Sequence, residues 1–313
     1  MLENNSQKQA SSESLYKKKS HVQFKVLLRL PKSMGDLLPK LFRFLYDFVF
    51  HIFLCVISII CLFPLYFMLL SSFKTQREYI LDPYYLPLQF TLQNFMEVII
   101  KENFLKLFLN SSILMISSTI LGLILACFAA YAFAKFTFKG KNKIFSIVVS
   151  LMGIPPIVVL IPLFVLMSRL KLLNTYQSVI LIYMGFIIPF SIFVLTNFFS
   201  AIPNEMLEAA RIDGCSRFRI LFEMILPLSK APLITLFIVN GLWVWNELLI
   251  ALVFLQKESM RTLMVGIAMH KARYLMNVPL VMAGSTVAVI PILIMFMIGL
   301  RFFVKGLTGG MVK

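Results

Sequence analysis

One carboxylate stands inside a sequence that otherwise keeps its acids out of its long apolar runs. Glu247 lies in the stretch LWVWNELLIALVFL, with Asn240, Trp243 and Asn246 close by. An ionisable side chain is costly in hydrocarbon, so Glu247 is expected to face protein or a water-filled cavity. Asn240, Trp243 and Glu247 recur at three and four residues, a spacing that predicts one stripe along a helix. The chemistry such a stripe offers is recognition. Asn and Glu hydrogen-bond hydroxyl groups, and the rings of Trp243 or Trp245 cover apolar C–H faces, which together suits a sugar. The same groups serve equally well to join helices through interhelical hydrogen bonds, and at this level both readings stand. Asn110, Ser111 and Ser112 in one apolar run, with Tyr183 and Asn197 in another, are weaker polar candidates.

Catalysis finds no foothold. The chain has no P-loop, no HExxH and no nucleophile elbow, and His21, His51 and His270 stand apart from any constellation. Cys55, Cys61 and Cys127 fall in apolar runs and Cys215 in a polar loop, without CxxC spacing, so all four read as free thiols and no metal site is expected. The chain is therefore read as a non-enzyme that carries no cofactor of its own.

The elements that must position these residues are long apolar helices. Hydrophobic residues make up 59% of the 313 and charged residues 14%, with a mean hydropathy of +0.87, where a soluble domain carries about a quarter charged. A helix needs about 20 apolar residues to cross a bilayer. Six stretches meet that length, approximately 48–70, 108–134, 144–167, 176–199, 231–255 and 278–300. The fold class is thus all-α, a polytopic membrane protein of six transmembrane helices. Alternate assignment of the connections puts 20 of the 30 Lys and Arg on one side, including Lys135, Lys139, Lys141 and Lys143 in a loop without acids. By the positive-inside rule both ends are cytosolic. That loop reads as an anchor to anionic lipid headgroups, and the net charge of +16 reflects topology instead of nucleic-acid binding.

Three regions follow. Residues 1–47 form a basic cytosolic extension without a signal peptide; its first 20 residues read as disordered, and 37–47 as a helix lying on the inner surface. Residues 48–303 form the six-helix domain, with a core at 106–301 and a cytosolic loop at 201–230. Residues 304–313 form a cytosolic tail. On the outer side, 71–106 is long enough to hold a short helix capped by Thr91 and packed on the membrane face.

The cytosolic loop reads SAIPNEMLEAARIDGCSRFRILFEMILPLSK over 200–230. Pro203 suits a helix's first turn, Glu205 and Glu208 complement its positive end, and Gly214 can take the left-handed backbone that stops it. Ser216 then caps a second helix that runs into Pro227. Ala209 and Ala210 are expected to be exposed and to admit another protein surface, with Glu208, Arg211 and Asp213 around them.

Here the sequence resembles the inner-membrane permeases of ABC importers, whose cytosolic signature is EAA, a glycine four residues later, and I-x-LP. Glu208, Ala209, Ala210 and Gly214 match, while Ile225, Leu226 and Pro227 replace the spaced ending. Further blocks at 63–74, 109–115, 129–141, 245–255 and FVKGLTGGMVK at 303–313 point to the carbohydrate branch, in particular the maltose-type second permease.

That resemblance implies the type I ABC importer permease fold and a bacterial cell-membrane location. It also implies that Glu208, Ala209, Ala210, Asp213 and Gly214 dock on a cytosolic ATPase dimer, and that Gly306, Gly309 and Gly310 let the tail reach the same dimer. ATP and Mg would be bound by that partner. A second homologous permease and an extracytoplasmic solute-binding protein complete the expected assembly, the latter meeting 256–277 through Lys257, Arg261, His270, Lys271 and Arg273. The cargo read from this resemblance is a sugar or oligosaccharide, with glycerol phosphate or another polar solute as the alternative. The apolar cores hold no Lys or Arg, which favours a neutral cargo. An ion-coupled secondary carrier is the rival from another class; it would need more ionisable groups in the membrane than Glu247.

Overall fold

The computed structural model describes residues 37–101, 103–273 and 277–308. The tail expected to be disordered, together with Gly309 and Gly310, lies outside them. Every regular element among the described residues is helical. The chain divides into two units, 1–65 and 66–313.

Helix α1, Leu37–Ser72, runs without a break from the expected surface helix into the expected first crossing. No glycine or proline separates the two stretches, so nothing interrupts the ladder. From Leu45 to Leu65 its mostly apolar side chains are exposed all round, the composition of a helix solvated by lipid.

In the second unit, the segment after α1 folds around a buried lysine. The Lys74 ammonium donates to the carbonyls of Asp82 (2.8 Å) and Pro83 (3.0 Å), and the Asn94 amide donates to the carbonyls of Ser72 and Lys74. Two short helices, α2 (Gln76–Leu81) and α3 (Gln93–Met96), frame it. Thr91 accepts from the Gln93 N–H at 3.2 Å, one residue before the position that caps α3.

The frame of the protein is α4 (Phe104–Lys135) against α7 (Tyr176–Ser200). A β-carbon added at Gly122 would sit 2.7 Å from Ile187 Cδ1, so the helices meet closely there and a larger residue would have to displace the end of that side chain. Between them in sequence come α5 (Lys141–Ser150) and α6 (Pro156–Arg169), bent by 101° where Pro155 and Pro156 forbid a continuous helix. After α7 follow α8 (Asn204–Ile212), α9 (Arg217–Ile220), a π-helical turn at Leu221–Ile225 and α10 (Leu226–Leu228). The chain then turns by 77° into α11 (Lys230–Asn246). Helix α12 (Leu249–Phe254), a 3-10 turn at Glu258–Met260, α13 (Leu263–Arg273) and α14 (Val278–Thr308) complete it.

Four of these helices are long and apolar enough to cross a membrane, and six spans result if each bent pair is one. Two apolar clusters form the interior. One gathers Leu114, Tyr183, Trp245 and Phe254; the other gathers Ala126, Ala130, Leu195, Phe199, Leu207 and Ile220 under α8.

The prolines of the expected third crossing, Pro155, Pro156 and Pro162, predict a bend or break there, and the structure breaks it between Gly153 and Pro156. The expected fifth crossing, in contrast, ends at Asn246. Within 256–277, residues 263–273 form helix α13. Helix α14 continues to Thr308, so Gly306 lies inside a helix where a flexible tail was expected.

Candidate functional site: the α8 loop and the Glu247 break

Helix α8 is built by its two ends. Pro203 stands at the N-cap with φ −58° and ψ 136°, just ahead of the first turn, and Glu205 lies within that turn. Gly214 takes φ +83°. Its N–H donates to the Arg211 carbonyl (3.0 Å), and the Cys215 N–H donates to the Ala210 carbonyl (2.9 Å). Those two bonds make a Schellman ending, which requires the left-handed residue that Gly214 supplies. Ser216 follows as the cap of α9, its hydroxyl accepting from the Arg219 N–H at 3.3 Å.

The inward face of α8 is Leu207 and Ala210, and the outward face is Glu205, Glu208, Ala209, Arg211, Ile212 and Asp213. Ala210 is therefore a correction: it is 8% exposed and packs against the interior, leaving Ala209 as the small residue on the surface. Ile212 is 87% exposed beside three charged groups, an apolar point on a charged helix that covers no part of its own fold.

Sequence reading missed the brackets beneath this loop. Lys135, expected as a headgroup anchor, donates to the Ile202 carbonyl (2.6 Å) and to Asn204 Oδ1 (2.9 Å) at the start of α8. The Tyr131 hydroxyl donates to the Arg217 carbonyl at 3.3 Å, and the Arg217 guanidinium lies 4.9 Å from the centre of the Phe136 ring. Arg219 pairs with Glu223 at 2.8 Å on the exposed side of α9. The partners of Lys135 are 67 and 69 residues away, and no local periodicity carries that pairing.

The expected polar stripe does not form as one line. Glu247 has left the helix, with ψ 128°, and no longer shares a face with Asn240 and Trp243. Its carboxylate accepts from the Ile250 N–H (2.9 and 3.1 Å), the Ala251 N–H (3.2 Å) and the Tyr183 hydroxyl (2.8 Å). A carboxylate with these partners acts as a cap for the first turn of α12. Asn240 is buried and donates to Ser191 Oγ at 2.8 Å, an interhelical bond between α11 and α7.

Trp243 stands edge-on to the Tyr183 ring, with centroids 5.7 Å apart, and 5.8 Å from that of Phe186. Tyr183 thus brings Trp243 and Glu247 together. Trp245 is buried against Phe108. Asn246 is exposed and donates to the Leu242 carbonyl (2.8 Å).

The weaker candidates separate too. Asn110 is buried, donating to the carbonyls of Ser259 and Arg261 and accepting from the Tyr176 hydroxyl. Ser111 Oγ accepts from the Leu263 N–H. Ser112 bonds within its own helix to the Phe108 carbonyl, and Asn197 is exposed.

Comparison with known proteins gives one consistent result. A putative ABC transporter permease protein from a Caldicellulosiruptor species is 41% identical over 265 residues, spanning 84% of this chain and 96% of that one. The arabinooligosaccharides transport system permease protein AraQ of Halalkalibacterium halodurans is 36% identical, over 82% and 93% of the two chains. Among solved structures, a bacterial ABC transporter involved in the import of the acidic polysaccharide alginate contains a chain of the same fold. Its TM-score is 0.73 at 22% identity, covering 88% of this chain and 99% of that one. The model of the binding-protein-dependent transport system inner membrane component family matches residues 118–309, which include α8, the Glu247 break and all of α14. The chain, a multi-pass membrane protein with a transport role and not a catalytic one, belongs to the family of inner membrane components of binding-protein-dependent transport systems.

Proposed function

We propose that this chain is one of two permease subunits of an ATP-driven importer for a sugar or oligosaccharide. The observation that carries the reading is α8: nine residues, started at Pro203 and closed at Gly214, with an outward face of charges, Ala209 and Ile212. Such a face suits a groove on a soluble partner, and Glu208, Ala209, Asp213 and Gly214 are the residues assigned to meet a cytosolic ATPase, with Ala210 supporting them from below. ATP and Mg belong to that partner.

In this scheme the two bent pairs each count as one crossing, giving six, and both termini are cytosolic, as the distribution of Lys and Arg favours. A second permease completes the path, and an external solute-binding protein meets 256–277. The described part of the tail, including Gly306, extends α14 toward the ATPase side. The relatives named for arabinooligosaccharides and for diacetylchitobiose, the latter from Streptomyces coelicolor at 30% identity, support an oligosaccharide cargo. Within the chain, Trp243 and Asn246 remain the path candidates: Asn240 is buried and the Glu247 carboxylate is taken up by its backbone and Tyr183 partners, whereas Asn246 is exposed and spends only its amide nitrogen on the Leu242 carbonyl.

The test is ATP hydrolysis by the purified importer in nanodiscs, with its binding protein offered a panel of arabino-oligosaccharides, diacetylchitobiose, maltose and glycerol phosphate. Stimulation by one of the sugars is expected. Stimulation by glycerol phosphate alone, or uptake by this chain alone under an ion gradient, overturns the reading.

A further inference from the structure

Among the described residues, α4 is the one long span with neither a proline nor a break inside it. Helix α1 contains Pro64, α7 Pro189 and α14 Pro291, and the two remaining spans are bent pairs. Proline removes a ladder bond and kinks a helix, which leaves α4 as the stiffest element that reaches from one membrane face to the other.

Both ends of this helix are fastened to distant segments by side chains. At one end, Asn110 Nδ2 donates to the carbonyls of Ser259 (3.1 Å) and Arg261 (2.8 Å), and its Oδ1 accepts from the Tyr176 hydroxyl (2.7 Å). Its neighbour Ser111 accepts from the Leu263 N–H at 2.8 Å. Each of the two residues is 4% exposed. At the other end, Tyr131 and Lys135 hold the carbonyls of Arg217 and Ile202 and the side chain of Asn204. Roughly 37 Å of unbroken helix lies between Asn110 and Lys135, at about 1.5 Å per residue.

We propose that α4 is a strut joining the external docking segment to the α8 loop, and that Asn110 and Ser111 are the positioning residues that fasten residues 259–263 to it. The inference rests on reading 256–277 as the contact for the solute-binding protein and α8 as the contact for the ATPase. A displacement of residues 259–263 acts on α4 directly, because both amide protons of the buried Asn110 are engaged by backbone carbonyls of that segment. Helix α4 then passes the displacement to Ile202 and Asn204, where α8 begins. In this role neither Asn110 nor Ser111 touches cargo.

The experiment uses the whole importer in nanodiscs, titrated with binding protein loaded with the most stimulating sugar of the panel above. Two quantities are read, the half-saturating concentration of binding protein and the maximal stimulation of ATP hydrolysis. Asn110→Leu is expected to lower maximal stimulation at least fivefold while moving half-saturation less than threefold. Ser111→Ala should act in the same direction by about twofold, and it carries the test if Asn110→Leu does not assemble. Tyr176→Phe, which leaves both Asn110 bonds to the docking segment, should retain full stimulation. Combining Asn110→Leu with Lys135→Met should lose no more than the worse single change, since both lie on one path.

Full stimulation in Asn110→Leu, or an equal loss in Tyr176→Phe, overturns the strut. A separate control addresses the reading beneath it. If Lys257→Glu leaves half-saturation unchanged, the assignment of 256–277 as the docking segment fails, and the proposal fails with it for that distinguishable reason.

Discussion

The α8 loop and the segment around Glu247 are both short helices set beside a break, yet they treat their polar groups in opposite ways. Around α8 the backbone is satisfied locally, by the Gly214 ending and the Ser216 cap, and the side chains of Glu208, Arg211 and Asp213 are left on the surface. Around Glu247 the carboxylate is occupied by the N–H groups of Ile250 and Ala251 and by Tyr183. A charge exposed outside membrane helices is available to another surface. One bound inside them serves the fold, because unmet polar groups are most costly where water is scarce.

That contrast can be broken most directly at Glu247. Replacing it by Leu strips an acceptor from three donors, and at about 1–3 kcal/mol per unmet buried donor the loss should be at least about 3 kcal/mol, read as a lowered Tm of the purified subunit. A far smaller loss would place the carboxylate outside the fold's support. Next in size, Gly214→Asp should lower ATP-driven uptake by roughly tenfold or more, the scale of losing an interface hot spot. Its cost to stability should be only about 1–2 kcal/mol, because the strain is confined to one left-handed residue with open space around it. Normal uptake would remove α8 from the coupling path.

Tyr183→Phe keeps the ring against Trp243 and deletes one hydrogen bond to Glu247, so a stability change of about 1 kcal/mol is expected in the same melting assay. The smallest change belongs to Glu208→Ala. It should stay within about 0.5 kcal/mol of the parent in stability while weakening ATPase binding in a pull-down titration. If Glu208→Ala destabilised the subunit as much as Glu247→Leu, the distinction between the two regions would vanish.

The same contrast explains how much of the molecule could be read from its sequence. The α8 loop was legible because its signals are local: Pro203, Gly214 and Ser216 each act within a few residues, and the structure gives a helix from Asn204 to Ile212 between them. Four of the expected crossings also appear as single long helices, since apolar length needs no tertiary information. Ala210 was misjudged because helical position alone does not say which face meets the interior. The Glu247 stripe failed because three- and four-residue spacing assumes a continuous helix, while the partner that completes this break, Tyr183, lies 64 residues away. Lys135 and Asn110 were illegible as brackets for the same reason.

The contact of Gly122 with Ile187 bears on how such a protein can change shape. An added methyl group would meet the end of the Ile187 side chain, so α4 and α7 are closely packed at that point. Close packing along this seam favours the two helices moving together in a change of shape. The remaining freedom is at the joints, the turn near Pro155 and the 77° elbow at Ser229, whose buried hydroxyl has no hydrogen-bond partner. A larger residue at Gly122 would push the end of Ile187 aside and loosen the seam, so that α4 and α7 would no longer carry each other's displacement.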